Sequence, residues 1–276
     1  MTPPSNPHPS SPLLTTTDRK GVTTLTLNRS AVHNAFNAEL VTALIETLES
    51  LHDQPPRALV LTGHGSSFSA GADLNWMQAM VKASEADNQA DAKRLAGMFR
   101  LLDELACPTI ARVNGPAIGG GVGLIACCDI AVAIEGTQFG LSEVRLGLSP
   151  ATIAPFVVAK IGHAQARRWM LTAERFDAER ACALGLITDT TPADQIDGHI
   201  DDLLALLLAG GPSAQAETKA MLRSVMQLTD PDTLDQATAE CIAKLRVSEE
   251  GQEGLKAFLE KRRPHWAPAP DPNKTP

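Results

Sequence analysis

Apolar and polar positions divide the chain into strands and helices with short connections. Four runs have the apolar, β-branched character of strands: residues 21–27, 57–62, 109–113 and 129–134. Helical periodicity follows Asn37, a suitable N-cap, and returns from about residue 85 to 105. Regular alternation of strands and helices predicts an α/β core.

Beyond about residue 192 the apolar spacing is helical throughout. One helix continues to a stop at 210–212, where two glycines precede a proline. Asp230 and Pro231 suit the N-cap and first position of the next helix, and Ser248 suits the N-cap of the last one. The apolar stripes of these helices need cover, either from the core or from a neighbouring subunit.

These patterns divide the chain into four parts. We expect the core, with the functional site, at 17–192 and a helical region for oligomerisation and ligand contact at 193–263. Residues 1–16 are rich in Pro, Ser and Thr, which predicts a disordered extension. The Pro-rich tail at 264–276 is expected to be mobile.

Composition and charge exclude several classes of function. The 276 residues are 43% hydrophobic and 20% charged with a formal charge of −8, which disfavours a nucleic-acid partner. No apolar run approaches the ~20 residues of a membrane helix, and the N-terminus lacks the features of a secretory or transit peptide. The five cysteines are not spaced as metal ligands, so we expect reduced thiols in the core and no metal. We also expect no membrane partner and a cytoplasmic location, because neither a membrane helix nor a targeting segment is indicated.

Candidate chemistry centres on Gly119-Gly120-Gly121, which follows a short strand and opens an apolar helix. Glycines let backbone N–H groups approach a ligand at the positive end of a helix. Such a run can bind a phosphate, or a carbonyl oxygen that gains negative charge during a reaction. The spacing fits neither the dinucleotide nor the P-loop motif. Taken alone, three glycines before a helix more often serve tight packing.

A second loop of small residues, from Gly63 to Gly71, follows the strand at 57–62. Two such loops could each offer one N–H to the same oxygen. Together with Asn28-Arg29, His33-Asn34-Ala35 and the segments 139–147 and 253–262, they resemble the crotonase superfamily, also called the enoyl-CoA hydratase/isomerase family. The resemblance extends from about Gly21 to Trp266.

The resemblance implies a particular fold and class of substrate. Its fold is an α/β spiral of ββα units, followed by a C-terminal helical region that builds homotrimers, two of which usually stack into a homohexamer. Its substrate is an acyl-CoA thioester, as in the breakdown of fatty acids or branched-chain amino acids. No separate cofactor is implied, because CoA is part of the substrate.

The family motifs assign the reaction to three residues. The backbone N–H groups of Ala72 and Gly120 match the donors that stabilise the enolate oxygen, and Glu143 matches the second catalytic glutamate. Partial burial would raise the pKa of Glu143 toward the working pH. The alternative for the two glycine-rich loops is that they serve compact packing alone. The alternative for Glu143 is a solvated carboxylate on the surface.

One position departs from the best-known hydratases of the family. Their other glutamate corresponds to Gly123, which has no side chain. Glu143 then acts alone on the attacking water, another group substitutes, or the reaction needs no water, as in the isomerases. We expect Gly123 to leave room that a bulkier substrate uses.

Finer resemblance, in segments 75–79, 141–148 and 171–178, is to a bacterial branch with methylglutaconyl-CoA and isohexenylglutaconyl-CoA hydratases. Their substrates carry a second carboxylate, for which Arg145, Lys93 and Arg94 are candidate partners, although a structural ion pair is favoured for Arg145. The branch implies hydration of a branched 2-enoyl-CoA. The alternatives are a Δ3,Δ2-enoyl-CoA isomerase or another one-glutamate enzyme, and a non-catalytic acyl-CoA-binding protein.

Further motif positions match residues that bind CoA. Those beside Ala72 would line the path of the pantetheine: Ala70, Asp73, Leu74 and Asn75. Two others, His33 and Ala35, would lie near the adenine. Phe258 and Lys261 match positions that reach the adenosine and its 3′-phosphate, usually from an adjacent subunit.

Overall fold

The computed structural model of the protein describes residues 11–269 and contains two β-sheets. The strands are β1 (Leu13–Thr17), β2 (Val22–Leu27), β3 (Ala58–Gly63), β4 (Thr109–Val113), β5 (Ala117–Ile118), β6 (Ile130–Ile134), β7 (Gln138–Gly140), β8 (Arg175–Asp177) and β9 (Asp189–Thr191). The helices are α1 (Ala38–Asp53), α2 (Leu74–Lys82), α3 (Glu85–Asp103), α4 (Gly120–Cys127), α5 (Ala154–Thr172), α6 (Ala178–Leu184), α7 (Ile196–Ala209), α8 (Pro212–Gln227), α9 (Pro231–Val247) and α10 (Glu249–Leu259).

The larger sheet has the strand order β1-β2-β3-β4-β6-β9. Its edge strand β1 is antiparallel to β2, and the other neighbours are parallel. In the smaller sheet, β7 pairs in parallel with β5 and antiparallel with β8. The smaller sheet places β5 and β7 side by side, so the chain segments that follow them, α4 and the turn at 143–146, begin close together.

Side chains alternate along the strands of the larger sheet, and those on each face pack against helices. On β3, Leu59 and Leu61 belong to the main core, which also includes residues of α1, α3, α4 and α5. Ala58 and Val60 of the same strand face the other way and pack against α7. The functional loops therefore leave a sheet that is fixed from both sides.

Most of the predicted elements are confirmed, with shifts of one or two residues at their ends. The predicted N-caps are confirmed as well: the side chains of Asn37, Asp230 and Ser248 accept the N–H groups of Leu40, Thr233 and Gly251. After Thr191 the described chain contains helices alone, as the spacing predicts. The division into a core and an oligomerisation region stays a prediction.

Predictions for both ends of the chain need correction. Leu13–Thr17 is not disordered but forms β1, because Leu13 is buried in the main core and the strand pairs with β2. Residues 264–269 are not a free tail, since the Trp266 indole N–H donates to the Ala209 carbonyl at 3.1 Å and the ring covers Gly254. Residues 1–10 and 270–276 lie outside the described residues.

The C-terminal helices α8, α9 and α10 pack on one another and carry large apolar side chains on their outer surfaces. Met226, Val247 and Phe258 are each about four-fifths exposed (79%, 79% and 81%). No helix within residues 11–269 is both long and apolar enough to cross a bilayer.

Candidate active site

The loop between β3 and α2 lies between β5 and the segment that contains Phe36. The Ile118 N–H donates to the Ser69 carbonyl at 2.9 Å, which aligns the loop with β5. The Phe36 N–H donates to Gly71 at 2.6 Å, and the Asp73 N–H donates to Phe36 at 2.8 Å. Neighbouring N–H groups of an extended segment point to opposite sides. The Ala72 N–H is therefore directed away from Phe36, and it has no acceptor within residues 11–269.

The second loop is the turn from β5 into α4. Gly119 has a φ of +53°, which glycine adopts without strain, and its N–H donates to Gly140 at 2.8 Å. Gly120 begins the helix, and its N–H finds no acceptor in the described part of the chain. A Cβ on Gly120 would lie 2.6 Å from the Phe36 ring, and one on Gly121 would lie 2.6 Å from the Ser69 carbonyl oxygen. Both positions require glycine.

The two loops are in direct contact. A Cβ on Gly71 would lie 2.9 Å from the Ile118 carbonyl oxygen and 3.6 Å from the Gly120 nitrogen. Because Gly71 immediately precedes Ala72, the free N–H groups of Ala72 and Gly120 belong to the same small region at the positive end of α4. Two such groups are suited to an oxygen that gains negative charge.

Glu143 begins a 3₁₀ turn directly after the loop that follows β7. Its Oε1 would be 2.9 Å from a Cβ on Gly119, so the carboxyl lies over the turn that precedes Gly120. Its Oε2 is buried, with no hydrogen-bond partner among the described residues. Burial raises the pKa of Glu143 above its ordinary value, because it penalises the charged form. The structure thus brings Glu143, Ala72 and Gly120 together.

The expectation that Gly123 leaves room for a substrate is wrong. A Cβ at this position would lie 2.3 Å from Cγ2 of Ile153 and 2.9 Å from Cε1 of Phe99. Both neighbours are buried, and Phe99 is itself fixed between Phe36 and Phe156. The space that a side chain at 123 would need is filled by two apolar side chains, Phe99 of α3 and Ile153 at the N-cap of α5.

Most of the predicted CoA-contact residues lie around the first loop. The His33 carbonyl accepts the Ala70 N–H at 2.9 Å, and the His33 Nδ1 lies 2.9 Å from the Ser67 hydroxyl. Ala70, Leu74 and Asn75 are exposed beside Ala72, with Leu74 at 76%. These positions border the free N–H of Ala72, although their contact with CoA stays a prediction.

Asp73 and Ala35 are buried and make hydrogen bonds that hold the site in place. Asp73 caps α2 by accepting the Asn75 N–H at 2.8 Å and pairs with the Arg29 guanidinium at 2.9 Å. The hydrogen bond from Arg29 holds the pKa of Asp73 below its ordinary value. Arg29 also donates to the Ala35 carbonyl. The Arg29 guanidinium therefore joins the end of the first loop, at Asp73, to the chain segment that contains Ala35.

Sequence reasoning gave no positioning role to three residues that hold this site in place: Arg29, Asn34 and Phe36. Asn34 is fully buried and donates to the His64 and Ser67 carbonyls at 2.9 and 2.8 Å. Phe36 supports Ala72 through its backbone and Gly120 through its ring. The sequence could have indicated two of them, because Asn28-Arg29 and His33-Asn34 belong to family motifs although their side chains have no part in the reaction. Motif residues of this kind are candidates for a structural role.

Phe258 and Lys261 are not brought to the site within one chain. Phe258 lies exposed on α10 and Lys261 follows that helix with a φ of +53°. Helix α10 packs on α8 and α9. A contact of these residues with CoA from an adjacent subunit stays a prediction.

The candidate cations for a second substrate carboxylate are all on the surface. Arg145 is exposed, and the structural ion pair favoured for it is not present among residues 11–269, so its role stays a prediction. Lys93 is exposed, and Arg94 donates to the Thr42 hydroxyl on α1. Within the described residues, no cluster of His, Cys, Asp or Glu could hold a metal ion.

Comparison with known proteins identifies the family. The model of the enoyl-CoA hydratase/isomerase family matches residues 17–269, and the chain belongs to this family of enzymes. Its α/β fold with a helical C-terminal region is the crotonase fold.

Individual relatives agree with this assignment. An enoyl-CoA hydratase structure from Shewanella pealeana is 46% identical, with a TM-score of 0.88 over 92% of this chain and 96% of that one. The 2,3-dehydroadipyl-CoA hydratase of Escherichia coli is 32% identical, over 88% of this chain and 93% of that protein. The crotonyl-CoA hydratase of Syntrophomonas wolfei is 30% identical over the same shares.

Proposed function

We propose that this enzyme adds water across the 2,3 double bond of a branched 2-enoyl-CoA, carboxylated substrates such as 3-methylglutaconyl-CoA included. The thioester oxygen accepts the N–H groups of Ala72 and Gly120. Each such donor is worth ~3 kcal/mol in a transition state, because it is fixed before the reaction starts. The water oxygen bonds to C3 while a proton of the water passes to Glu143. Glu143 then returns a proton to C2 as the enolate collapses.

The observation that carries this proposal is the state of Glu143. Its Oε2 is buried with no hydrogen-bond partner in the described part of the chain, and its Oε1 lies close to the turn that presents the Gly120 N–H. Burial raises the pKa of this carboxyl, which favours its taking up and returning a proton during the reaction. A protein that merely bound acyl-CoA would have no use for such a group, which disfavours the non-catalytic alternative.

The substrate class is supported by resemblance. Relatives are named as hydratases of crotonyl-CoA and 2,3-dehydroadipyl-CoA. Segments 75–79, 141–148 and 171–178 resemble the methylglutaconyl-CoA and isohexenylglutaconyl-CoA hydratase branch. The proposed reaction needs no cofactor besides the CoA of the substrate.

A Δ3,Δ2-enoyl-CoA isomerase is the second candidate, because a specific observation favours it. The apolar Ile153 and Phe99 fill the space beside Gly123, so the site has one carboxylate where the best-known hydratases have two. One base is enough to move a proton between the α and γ carbons, whereas water must be positioned as well as deprotonated.

We propose that the assembly is a homotrimer or a hexamer of two trimers in the cytoplasm. The exposed apolar side chains of α8, α9 and α10 need cover that a single chain does not provide. Such an assembly would also allow Phe258 and Lys261 to reach a CoA bound by a neighbour.

Turnover of crotonyl-CoA, 3-methylglutaconyl-CoA and a 3-enoyl-CoA separates the candidates. We expect hydration of the two 2-enoyl-CoAs, whereas turnover of the 3-enoyl-CoA alone would identify an isomerase. Glu143→Gln should abolish turnover and leave CoA-ester binding largely intact, because an amide keeps the shape but cannot exchange the proton. Glu135→Gln, an exposed glutamate after β6, is the matched control. Activity above about a tenth of wild type in Glu143→Gln would remove that residue from the reaction.

A further inference from the structure

Within residues 11–269, two carboxylate oxygens are buried without a hydrogen-bond partner: Oε2 of Glu143 and Oδ2 of Asp91. Native proteins pair nearly all their buried polar atoms, so each exception calls for an explanation. The proposed reaction accounts for Glu143. It gives no role to Asp91.

Asp91 occupies an inward position of α3. The apolar stripe of this helix contains the partly buried Leu95 and the buried Met98 and Leu102, which follow Asp91 at intervals of four, seven and eleven residues. An apolar residue is expected at position 91 on this spacing. The Oδ2 atom of Asp91 is nevertheless buried, although the residue as a whole is partly exposed. This burial raises the pKa of Asp91 above its ordinary value, by more than the nearby positive charge of Arg94 lowers it.

The face of α3 that carries Asp91 also borders the reaction site. Phe99, two turns further along, contacts Phe36 and closes the space beside Gly123, and Phe36 in turn lies against Gly120. At the start of α3, Asn88 donates to the carbonyls of Met80 and Ala83, which anchors the end of α2. Helix α2 begins one residue after Asp73, beside Ala72. Along α3, Asp91 therefore comes three residues after the contact with the end of α2 and eight residues before the ring that supports Gly120.

We propose that Asp91 is a specificity-determining residue, which hydrogen-bonds an oxygen-bearing group, hydroxyl or carboxyl, on the acyl chain of the substrate. The inference rests on the proposed acyl-CoA function and names the substrate class within it. An unpaired buried carboxyl disfavours a plain alkyl chain, which would leave it unpaired in the complex as well. A hydroxyl, or a carboxyl that shares one proton with Asp91, supplies the missing partner.

Three CoA esters with the same six-carbon chain test this directly. They are 2-hexenoyl-CoA, 6-hydroxy-2-hexenoyl-CoA and 2,3-dehydroadipyl-CoA, which end in a methyl, a hydroxyl and a carboxyl. We expect wild type to favour at least one oxygen-bearing ester by about tenfold or more in kcat/KM. Asp91→Leu should lower that preference by about 10- to 100-fold and change the rate on 2-hexenoyl-CoA by less than about threefold. Asp91→Asn, which can still hydrogen-bond, should restore much of the preference for the hydroxyl.

A measurement of stability separates recognition from a structural role. If Asp91 has no partner in the free protein, Asp91→Leu should leave the free energy of unfolding unchanged or raise it. Glu85→Leu, which replaces an exposed acid on the same helix, is the matched control. Marked destabilisation by Asp91→Leu, equal losses on all three esters, or a wild type that hydrates all three esters at equal rates would each overturn the proposal.

Binding of the saturated esters keeps this inference independent of the reaction. Hexanoyl-CoA, 6-hydroxyhexanoyl-CoA and adipoyl-CoA have no double bond, and calorimetry measures their Kd. Loss of discrimination among them in Asp91→Leu would support the role of Asp91 even if wild type hydrated none of the enoyl esters. That last outcome would refute the proposed hydratase function instead. Equal Kd values for the three esters in wild type would refute the role of Asp91.

Discussion

The contact between Gly123 and Ile153 makes a quantitative prediction about two residues thirty positions apart. A methyl group at 123 would lie 2.3 Å from Cγ2 of Ile153, roughly 1.2 Å inside the ~3.5 Å of a favourable carbon–carbon contact. Ile153 is 2% exposed and Phe99 is fully buried, so neither can move into open space. We expect Gly123→Ala to lower the free energy of unfolding by about 1–3 kcal/mol, although alanine favours the helix.

A double-mutant cycle isolates this contact. Ile153→Ala alone should cost about 2–5 kcal/mol, because it leaves a cavity. In Gly123→Ala/Ile153→Ala, the new methyl occupies part of that cavity, so the combined loss should be smaller than the sum by about 1–3 kcal/mol. Urea unfolding followed by circular dichroism, at one fixed protein concentration, measures all four variants.

The control is Gly97→Ala on α3, where a Cβ would meet nothing within 4 Å. This change should be neutral or stabilising by about 0.5–1 kcal/mol. Losses at 123 and 153 that simply add, or a Gly123→Ala variant as stable as wild type, would show that the two side chains do not compete for space.

The same geometry determines how a second carboxylate could be introduced. Gly123→Glu alone should fail to fold at wild-type stability, because the side chain has no room. Combined with Ile153→Gly, it should be tolerated better and should raise crotonyl-CoA hydration relative to Ile153→Gly alone. Unchanged hydration by a folded double variant would mean that position 123 does not face the reacting carbons.

Two further predictions concern the loops. Gly120→Pro removes a proposed N–H donor and should lower kcat about 100-fold, with gel filtration to confirm that the assembly survives; near-normal kcat in a folded variant would place the oxyanion site elsewhere. Asp73→Ala should cost more than the ~1 kcal/mol of a lost N-cap, because it also leaves Arg29 unpaired. Since the folded pKa of Asp73 is depressed, its contribution is present above the unfolded value and is lost as the pH falls through the folded one. Wild type should therefore lose more stability than Asp73→Ala between about pH 5 and pH 2, and parallel pH profiles would contradict this.

Elements with a long periodic pattern could be predicted from the sequence, and short ones could not. The strands at 22–27, 58–63 and 109–113 have enough residues to show their apolar character. The smaller sheet consists of strands of two or three residues, too short for any period. Strand β1 was missed because its three threonines follow a Pro- and Ser-rich stretch.

The candidate site divides in the same way. Ala72, Gly120 and Glu143 could be proposed together because their segments resemble motifs of the crotonase family, and those motifs are visible locally in the sequence. The filling of the space beside Gly123 depends on Ile153, a contact that no local pattern encodes. In the sequence, Asp91 cannot be told apart from the other acidic residues of α3. The burial of its Oδ2 depends on how α3 packs in the folded chain.

The two free N–H groups have a consequence for mutational screens. A scan that replaces each residue by alanine removes side chains, yet Ala72 would pass through it unchanged and Gly120 would keep its N–H. Any loss at Gly120 would report the collision of a new methyl with the Phe36 ring rather than the chemistry. Two of the three groups assigned to the reaction would thus escape detection. Replacing the peptide N–H by an ester oxygen, through an α-hydroxy acid at each position, would reveal them, because that exchange deletes the donor and adds no bulk.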